Sequence, residues 1–336
     1  MNTKRWVAIA IAAAIVIFTI SLPSRQTEKD KNLESLLSQN GLVENVLQEG
    51  SSRKIAKLTI DGTISSQSSG SIFSEAAYDH DFFIQALNEI YNDDNVSAVF
   101  LEVNSPGGGV YESAEIARLI KEIQTDRKLP LYVSMKNMAA SGGYYVSASA
   151  DKIFATEETM TGSIGVIMSG LNFAEMLDDL GVEDTTVKSG EMKDVGSSTR
   201  KWTDKDHEVL QSMINNSYDR FVNIVSEGRG MDEKVVREIA DGRIYDGKQA
   251  LENGLVDAIG FPEEALAALQ EDHDLKDATV FEYELNTGYF SKNFPFLNVF
   301  TKQDIFQSKK ATTQTELLQQ IENPDTPQMM YLYGGE

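Results

Sequence analysis

Short apolar runs alternate with amphipathic stretches through the middle of this chain. Apolar runs of strand length occupy residues 96–103, 130–135, 152–155 and 279–285. After Asp81, and again after Thr203, the apolar positions recur with helical spacing. This alternation of strands and helices predicts an α/β fold with a largely parallel sheet.

The same pattern predicts several shorter elements. We expect further helices at residues 111–124, 144–150, 171–180, 232–240, 247–252 and 262–271, and a strand at 184–188. Thr203 should cap the long helix, which Gly228 and Gly230 should end.

The two ends of the chain differ from its middle. In residues 1–25, Lys4 and Arg5 precede an uncharged apolar run, which predicts a membrane anchor; a secretory signal is the alternative. No small-residue cleavage site follows the run, so we expect an uncleaved single-pass anchor with the rest of the chain extracytoplasmic. We expect residues 26–53 to be a tether with one helix, 54–285 the globular domain, and 286–336 a C-terminal extension and tail.

Charge and composition exclude several classes of function. The chain has 336 residues with 52 acidic and 30 basic side chains, a net charge of -22, which repels phosphate backbones. Nucleic acid is therefore not an expected partner. The absence of cysteine removes disulfides and thiolate chemistry. The metal-ligand spacing H-E-x-x-H is also absent, and we expect no metal or cofactor.

A serine lies at a predicted strand-to-helix turn in residues 138–145, MAASGGYY. Ser141 follows an apolar strand, precedes two glycines, and would have its hydroxyl at the positive end of a helix. This is a position for a nucleophile. A helix N-cap is the common alternative for serine at such a turn.

A second glycine-rich turn, residues 104–110 (NSPGGGV), follows the strand at 96–103. Its backbone N–H groups would face the carboxyl end of the sheet, where open α/β folds bind ligands. The Lys-Ser/Thr of a phosphate-binding loop is absent. An oxyanion hole fits better than a phosphate cradle or a plain helix-start turn.

A nucleophilic serine needs a proton acceptor, and the chain has three histidines. Each of His80, His207 and His273 lies in a polar or acidic stretch, and we expect all three to be solvated surface residues. A lysine base would need its pKa lowered from about 10.4 to between 7 and 8. On the residues alone, Lys193 is a candidate beside the lysines Lys136, Lys152 and Lys188.

Taken in order, these stretches resemble the signal peptide peptidase A (protease IV) family of Gram-positive bacteria. The resemblance runs from about residue 54 to 270 and is carried by NSPGGG (104–109), MAASGGYY (138–145), TGSIGV (161–166), KSGxxKD (188–194) and DGRIY (241–245). It implies the Clp protease/crotonase fold and a membrane-anchored serine endopeptidase with a Ser/Lys dyad.

The resemblance also implies a role for particular residues. The family's nucleophile falls on Ser141, its general base on Lys193 and its lysine-orienting serine on Ser163, and its oxyanion donors fall on the amides of Gly108 and Gly142. The implied substrates are apolar peptides, chiefly remnant signal peptides. The implied assembly is a homo-octamer in which adjacent subunits supply the serine and the lysine of one site.

Two other classes compete with this hypothesis: a crotonase-type acyl-CoA enzyme and a non-catalytic membrane-associated assembly protein.

The apolar C-terminal residues 328–336 follow a proline-bearing linker and suit an added β-strand. We expect this tail to enter the substrate groove beside Ser141 as a product or autoinhibitor, with self-trimming near Gly334; docking elsewhere on the surface is the alternative.

Overall fold

The structure, a computed structural model, describes residues 41–66, 78–285 and 329–333. The strands are β1 (Leu42–Gln48), β2 (Ser51–Asp61), β3 (Val96–Ser105), β4 (Gly107–Gly109), β5 (Leu131–Ala140), β6 (Lys152–Ala155), β7 (Met160–Gly162), β8 (Ile244–Tyr245), β9 (Ala258–Ile259), β10 (Ala278–Leu285) and β11 (Met330–Leu332). The helices are α1 (His80–Asn92), α2 (Val110–Glu122), α3 (Gly142–Ser147), α4 (Ala174–Asp179), α5 (Asp204–Arg229), α6 (Glu233–Ile239), α7 (Gly247–Glu252) and α8 (Pro262–Asp272). A π-helical turn, Ile123–Arg127, follows α2, and a 3₁₀ turn, Glu191–Asp194, lies between α4 and α5.

Nine of the described strands form one sheet in the order β1-β10-β2-β3-β5-β6-β9, with β7 paired to β5 and to β8. Its pairings are parallel except for β1 with β10 and β7 with β8. The helices follow strands along the chain, so the prediction of an α/β fold with a largely parallel sheet is confirmed. Strands β11 and β4 form a separate antiparallel pair.

Local sequence signals account for the ends of the long helix α5. The side chain of Thr203 accepts a hydrogen bond from the amide of Asp206, whose carboxylate accepts from the Thr203 amide in return, a capping box. Gly230 ends the helix with a φ of 61°, which glycine adopts without the steric cost that a Cβ brings. Both ends agree with the prediction.

One predicted element is wrong. Residues 184–188 form no strand, because their apolar side chains find no sheet to cover them; Val187 is 98% exposed. Within the stretch expected to be a tether with one helix, Leu42–Gln48 pairs with β10 as an edge strand, and residues 26–40 lie outside the described residues.

The expected membrane anchor, residues 1–25, lies outside the described residues, as does most of the C-terminal extension. Among the helices of the described ranges, none combines the length and the hydropathy needed to cross a bilayer.

The centre of the sheet positions the two glycine-rich turns. Strands β3 and β5 are parallel neighbours, with Ser105 opposite Ala139 at their carboxyl ends. Eight of the ten residues of β3 and seven of the ten residues of β5 are buried, in agreement with the apolar runs in the sequence. The turn after β3 and the turn after β5 therefore leave the sheet side by side.

Candidate active site

Ser141 occupies a sharp turn between β5 and α3. Its φ of 53° and ψ of -114° are unusual for a residue with a Cβ. The turn is held by hydrogen bonds from the Ser141 amide to the carbonyl of Gly162 and from the Tyr145 amide to the carbonyl of Ser141, both 2.8 Å. Its hydroxyl makes no capping bond to α3. Ser141 therefore does not act as a side-chain N-cap of α3.

The glycines of β4 lie between two backbone segments. Ile64 pairs with Gly108 on one edge, through 2.8 Å hydrogen bonds to the carbonyl of Gly107 and from the amide of Gly109. On the other edge, Tyr331 of β11 pairs with Gly108. A Cβ at Gly108 would collide with the carbonyl of Ile64, so this strand requires glycine.

The amides of Gly108 and Gly142 converge. A Cβ at Gly142 would lie 3.0 Å from the nitrogen of Gly108, and a Cβ at Gly107 would lie 2.5 Å from the nitrogen of Gly142. The carbonyl oxygen of Tyr331 abuts Gly107 on that same side. Two N–H donors and one peptide carbonyl therefore meet directly beside Ser141, as in an oxyanion hole.

The C-terminal strand β11 pairs with the glycine strand β4. Met330 and Ile167 exchange two backbone hydrogen bonds of 2.9 and 3.1 Å, and the Tyr333 amide donates to the carbonyl of Pro106 at 2.9 Å. The tail residues Met330–Leu332 are thus paired on both sides, in the manner of an extended peptide added to a sheet edge.

The side chain of Tyr331 fills a pocket and is fully buried. Its ring lies 4.8 Å from the ring centroids of both Tyr145 and Phe221. Its hydroxyl donates to the carbonyl of Ser217 at 2.9 Å, and burial raises its pKa, so the hydroxyl stays protonated. The pocket accepts a large aromatic residue with one polar tip.

A cavity of about 530 Å³ opens beside Ser141. Ser163 lines it together with Ser141, Leu332 and Tyr333, and helix α5 contributes further lining residues. Ser163 also has a positive φ, 49°, and is held by a 2.8 Å hydrogen bond from its amide to the carbonyl of Arg243. The two serines therefore face one space.

Lys193 is exposed in the 3₁₀ turn and is not among the residues that line this cavity. The competing lysines are each bound to a carboxylate: Lys136 to Glu102, Lys152 to Asp272 and Lys188 to Asp194. Within the described ranges, Lys193 is the one of these four lysines whose amine has no carboxylate partner.

A charge network holds the turn that carries Lys193. Asp194 accepts hydrogen bonds from Lys188 at 2.7 Å and from Arg200 at 2.9 Å, and these contacts hold its pKa well below the usual range. Arg200 also binds Asp206, the buried capping residue of α5, at 2.7 Å through two nitrogens. The network fixes the turn to the first residues of α5.

The histidines do not line the cavity. His207 and His273 are exposed as expected, but the expectation for His80 is wrong. Only 6% of His80 is exposed, because its ring lies between the Tyr78 hydroxyl at 2.7 Å and the Glu115 carboxylate at 3.0 Å. The carboxylate partner, Glu115, comes from helix α2, which the polar sequence around His80 does not reveal.

In the part of the chain that the structure describes, no three His, Asp or Glu side chains are grouped to hold a metal ion.

The sequence interpretation missed Ile64, whose backbone borders the glycine strand, and the aromatic pair that receives Tyr331. The signal for Ile64 was weak, since it is an isolated apolar residue after the Asp61-Gly62 turn.

Comparison with known proteins identifies the family of this chain. Residues 123–276 match the model of peptidase family S49. A protein of Enterococcus faecium provisionally named signal peptide peptidase SppA is 45% identical over the full length of both chains. A provisionally named protease of Methanocaldococcus jannaschii is 39% identical over 66% of this chain and 72% of its own.

Protease 4 of Haemophilus influenzae is 37% identical over 63% of this chain and 34% of its own. The full-length relative alone is similar enough to define the family. The chain therefore belongs to the signal peptide peptidase A (protease IV) family, peptidase family S49, and is a serine peptidase.

Proposed function

We propose that this peptidase is a membrane-anchored endopeptidase of the Clp protease/crotonase-like fold that works through a Ser/Lys dyad. Ser141 is the nucleophile, Lys193 the general base, and the amides of Gly108 and Gly142 bind the oxyanion. One observation carries the proposal: both amides converge beside a serine in a strained turn, and a peptide carbonyl lies against them.

The chemistry follows from this arrangement. The Ser141 oxygen attacks the peptide carbonyl while neutral Lys193 takes the hydroxyl proton, and the two amides hold the negative oxygen. Lys193 returns the proton to the leaving amine. Water then attacks the acyl-enzyme, giving its proton to Lys193, which passes that proton to the departing Ser141 oxygen; the product carboxyl, free Ser141 and neutral Lys193 result.

The base comes from a second copy of the chain. Ser141 and Ser163 face the cavity, whereas Lys193 of the same chain is exposed outside its lining, which supports a site completed by a neighbouring subunit. A closed homo-octamer gives every serine a lysine from the next subunit. Ser163 orients the incoming amine.

The tail occupies the substrate groove as an autoinhibitor. Because the Tyr331 carbonyl abuts the converging amides, the bond presented to Ser141 is that between Tyr331 and Leu332, rather than one near Gly334. Tyr331 then occupies the pocket for the residue on the amino side of the cut. Leu332 and Tyr333, which line the cavity, lie on the leaving-group side.

The substrates are apolar peptides, chiefly remnant signal peptides. The aromatic pocket around Tyr331 supports apolar specificity, and a full-length relative carries the name signal peptide peptidase. Residues 1–25 would hold the site in the cell membrane, facing the extracytoplasmic side where such peptides remain.

A serine-directed acylating probe tests the function. We expect one adduct per chain at Ser141, loss of labelling and of peptidase activity in Ser141→Ala, and loss of activity in Lys193→Ala. The control is Lys136→Ala, which removes another lysine and should keep normal activity. Full activity in Ser141→Ala or Lys193→Ala would refute the dyad.

A further inference from the structure

The carboxylate of Glu112 lies beside the glycine strand β4. Glu112 is the third residue of α2, directly after the strand. Its Oε1 accepts hydrogen bonds from the Ser66 hydroxyl at 2.6 Å and the Ser66 amide at 3.3 Å. Its Oε2 lies against Gly109, where a Cβ would collide with it. The side chain thus joins two segments that meet at the site.

Ser66 belongs to the segment that borders the strand. Two residues before it, Ile64 forms the hydrogen bonds that hold Gly107 and Gly109. Ile64 and Tyr331 pair with opposite edges of Gly108, so the segment 64–66 supports the strand from the edge that does not bind peptide. Glu112 ties this support to α2.

The charge of Glu112 cannot itself favour the reaction. Burial alone would raise the pKa of Glu112, but hydrogen bonds from Ser66 and from its own amide outweigh burial and hold the pKa below the usual range. Glu112 is therefore anionic at neutral pH. An anion beside a developing oxyanion opposes it, so any benefit must come from the contacts.

We propose that Glu112 is a positioning residue that, through Ser66 and Gly109, fixes the Gly108 amide where the oxyanion develops. The inference rests on the proposed oxyanion role of Gly108. It predicts that catalysis needs the hydrogen-bond acceptor of Glu112 and does not need its charge. Glutamine keeps the acceptor oxygen toward Ser66, whereas alanine loses it.

Three variants test the proposal by steady-state kinetics on a peptide substrate. Removing an oxyanion donor costs about 10²–10³ in kcat, so a displaced donor in Glu112→Ala should cost about 10- to 100-fold. We expect KM within about threefold, because the contact strengthens in the transition state. Glu112→Gln should keep at least about a third of kcat. The control Glu122→Ala removes a carboxylate from the last turn of the same helix and should behave as wild type.

A pair of inhibitors separates positioning from general damage. A peptide aldehyde forms a tetrahedral oxyanion with Ser141, whereas the matching peptide alcohol does not. In Glu112→Ala the aldehyde should lose affinity in parallel with kcat, and the alcohol should bind as before. Should Glu112→Ala fail to fold, Ser66→Ala removes one of the same hydrogen bonds at an exposed residue, and should lower kcat about fivefold.

Three outcomes would each overturn the positioning role. The first is a normal kcat in both Glu112→Ala and Ser66→Ala, and the second is an equal loss of kcat in Glu112→Ala and Glu112→Gln. The third is an equal loss of affinity for the aldehyde and the alcohol in Glu112→Ala. Activity in Ser141→Ala, measured alongside, would instead overturn the proposed function on which it rests.

Discussion

Ser141 has backbone angles that glycine would adopt more easily. A positive φ with ψ near -114° costs a residue with a Cβ about 1–3 kcal/mol, whereas the extra entropy of glycine in the unfolded chain costs about 0.5–1 kcal/mol. The strain is the larger effect. We therefore predict that Ser141→Gly and Ser141→Ala are both inactive, and that the glycine variant is about 1 kcal/mol more stable.

Urea unfolding of the two inactive variants measures this difference directly. The comparison with alanine removes the effect of losing the hydroxyl, because both variants lack it. Equal stability of the two variants would mean that the turn is not strained.

At the scale of single residues, the sequence predicted the place of a residue between elements better than it predicted the environment of its side chain. The position of Ser141 between a strand and a helix was predicted, since both elements have local signals. Its positive φ was not, because serine gives no sign of it. His80 was expected in solvent but is buried, since the Glu115 carboxylate that binds it lies on another helix.

At the scale of elements, the turn bearing Lys193 depends on Arg200. Asp206 is 1% exposed, and Arg200 is the cation bound to it, so Arg200→Met leaves a buried carboxylate without its countercharge. Breaking a buried ion pair on one side costs about 3–5 kcal/mol. We predict that Arg200→Met lowers the free energy of unfolding by about 3 kcal/mol, the low end of this range, because Thr203 still donates to Asp206.

The matched control is Arg243→Met. Its ion pair with Asp241 is exposed on both sides, and such pairs contribute less than about 1 kcal/mol. Chemical unfolding of both variants beside wild type gives the two differences. Equal losses in the two variants would contradict the role given to burial.

The pH dependence of this loss follows from the direction of the pKa shifts. Hydrogen bonds from Arg200 lower the folded-state pKa of Asp194 and of Asp206 below the unfolded value of about 3.9. The stabilisation is therefore fully present above about pH 5 and is lost as pH falls through the folded pKa values. We predict that the difference between wild type and Arg200→Met is constant from about pH 5 to 8 and shrinks below pH 4. A difference that grows on acidification would contradict this assignment.

The pairing of β11 with β4 leads to a separate prediction about whether the C-terminal tail occupies the substrate groove. A tethered peptide competes at an effective concentration of about 1 mM, and emptying the aromatic pocket should release it. In Tyr331→Ala, truncation of a fully buried aromatic residue costs about 3–5 kcal/mol of docking. We predict at least a tenfold lower KM for an added peptide, matched by a variant ending at Pro324.

Intact-mass analysis of wild type and Ser141→Ala complements the kinetics. Cleavage at the presented bond would remove residues 332–336 from wild type alone. An unchanged KM in both tail variants would exclude occupancy of the groove, and identical masses would exclude self-cleavage.

Helices and strands that depend on local interactions were predicted well, whereas those that depend on pairing with a distant strand were not. Helix α5 and strand β6 were predicted well, because capping residues and a buried apolar run are local signals. The apolar residues at 42, 43, 46 and 47 suit a helix as well as a strand, and pairing with β10 decides between them. Residues 184–188 had strand-like composition but no neighbouring strand.

At the scale of the whole molecule, the segment that precedes Lys193 exposes large apolar side chains, although the chain has a net charge of -22. The residues before it include several exposed large side chains: Leu171, Met176, Leu180, Val182 and Val187. Patches of this kind indicate protein contacts. A partner surface here supports the proposal that Lys193 serves the neighbouring subunit, a relationship that one sequence cannot reveal.

Mixed assemblies test this relationship. In a closed ring, Lys193→Ala subunits keep Ser141, and Ser141→Ala subunits keep Lys193. With random incorporation at equal amounts, a site is complete when its own subunit is of the first kind and its neighbour of the second, which gives about a quarter of wild-type activity. A dyad within one chain gives none. The control mixes Lys193→Ala with the double variant Ser141→Ala/Lys193→Ala, which offers no lysine and should stay inactive. Because native mass measurement shows whether the two kinds of subunit share assemblies, an inactive but verified mixture would place serine and lysine of each site in the same chain.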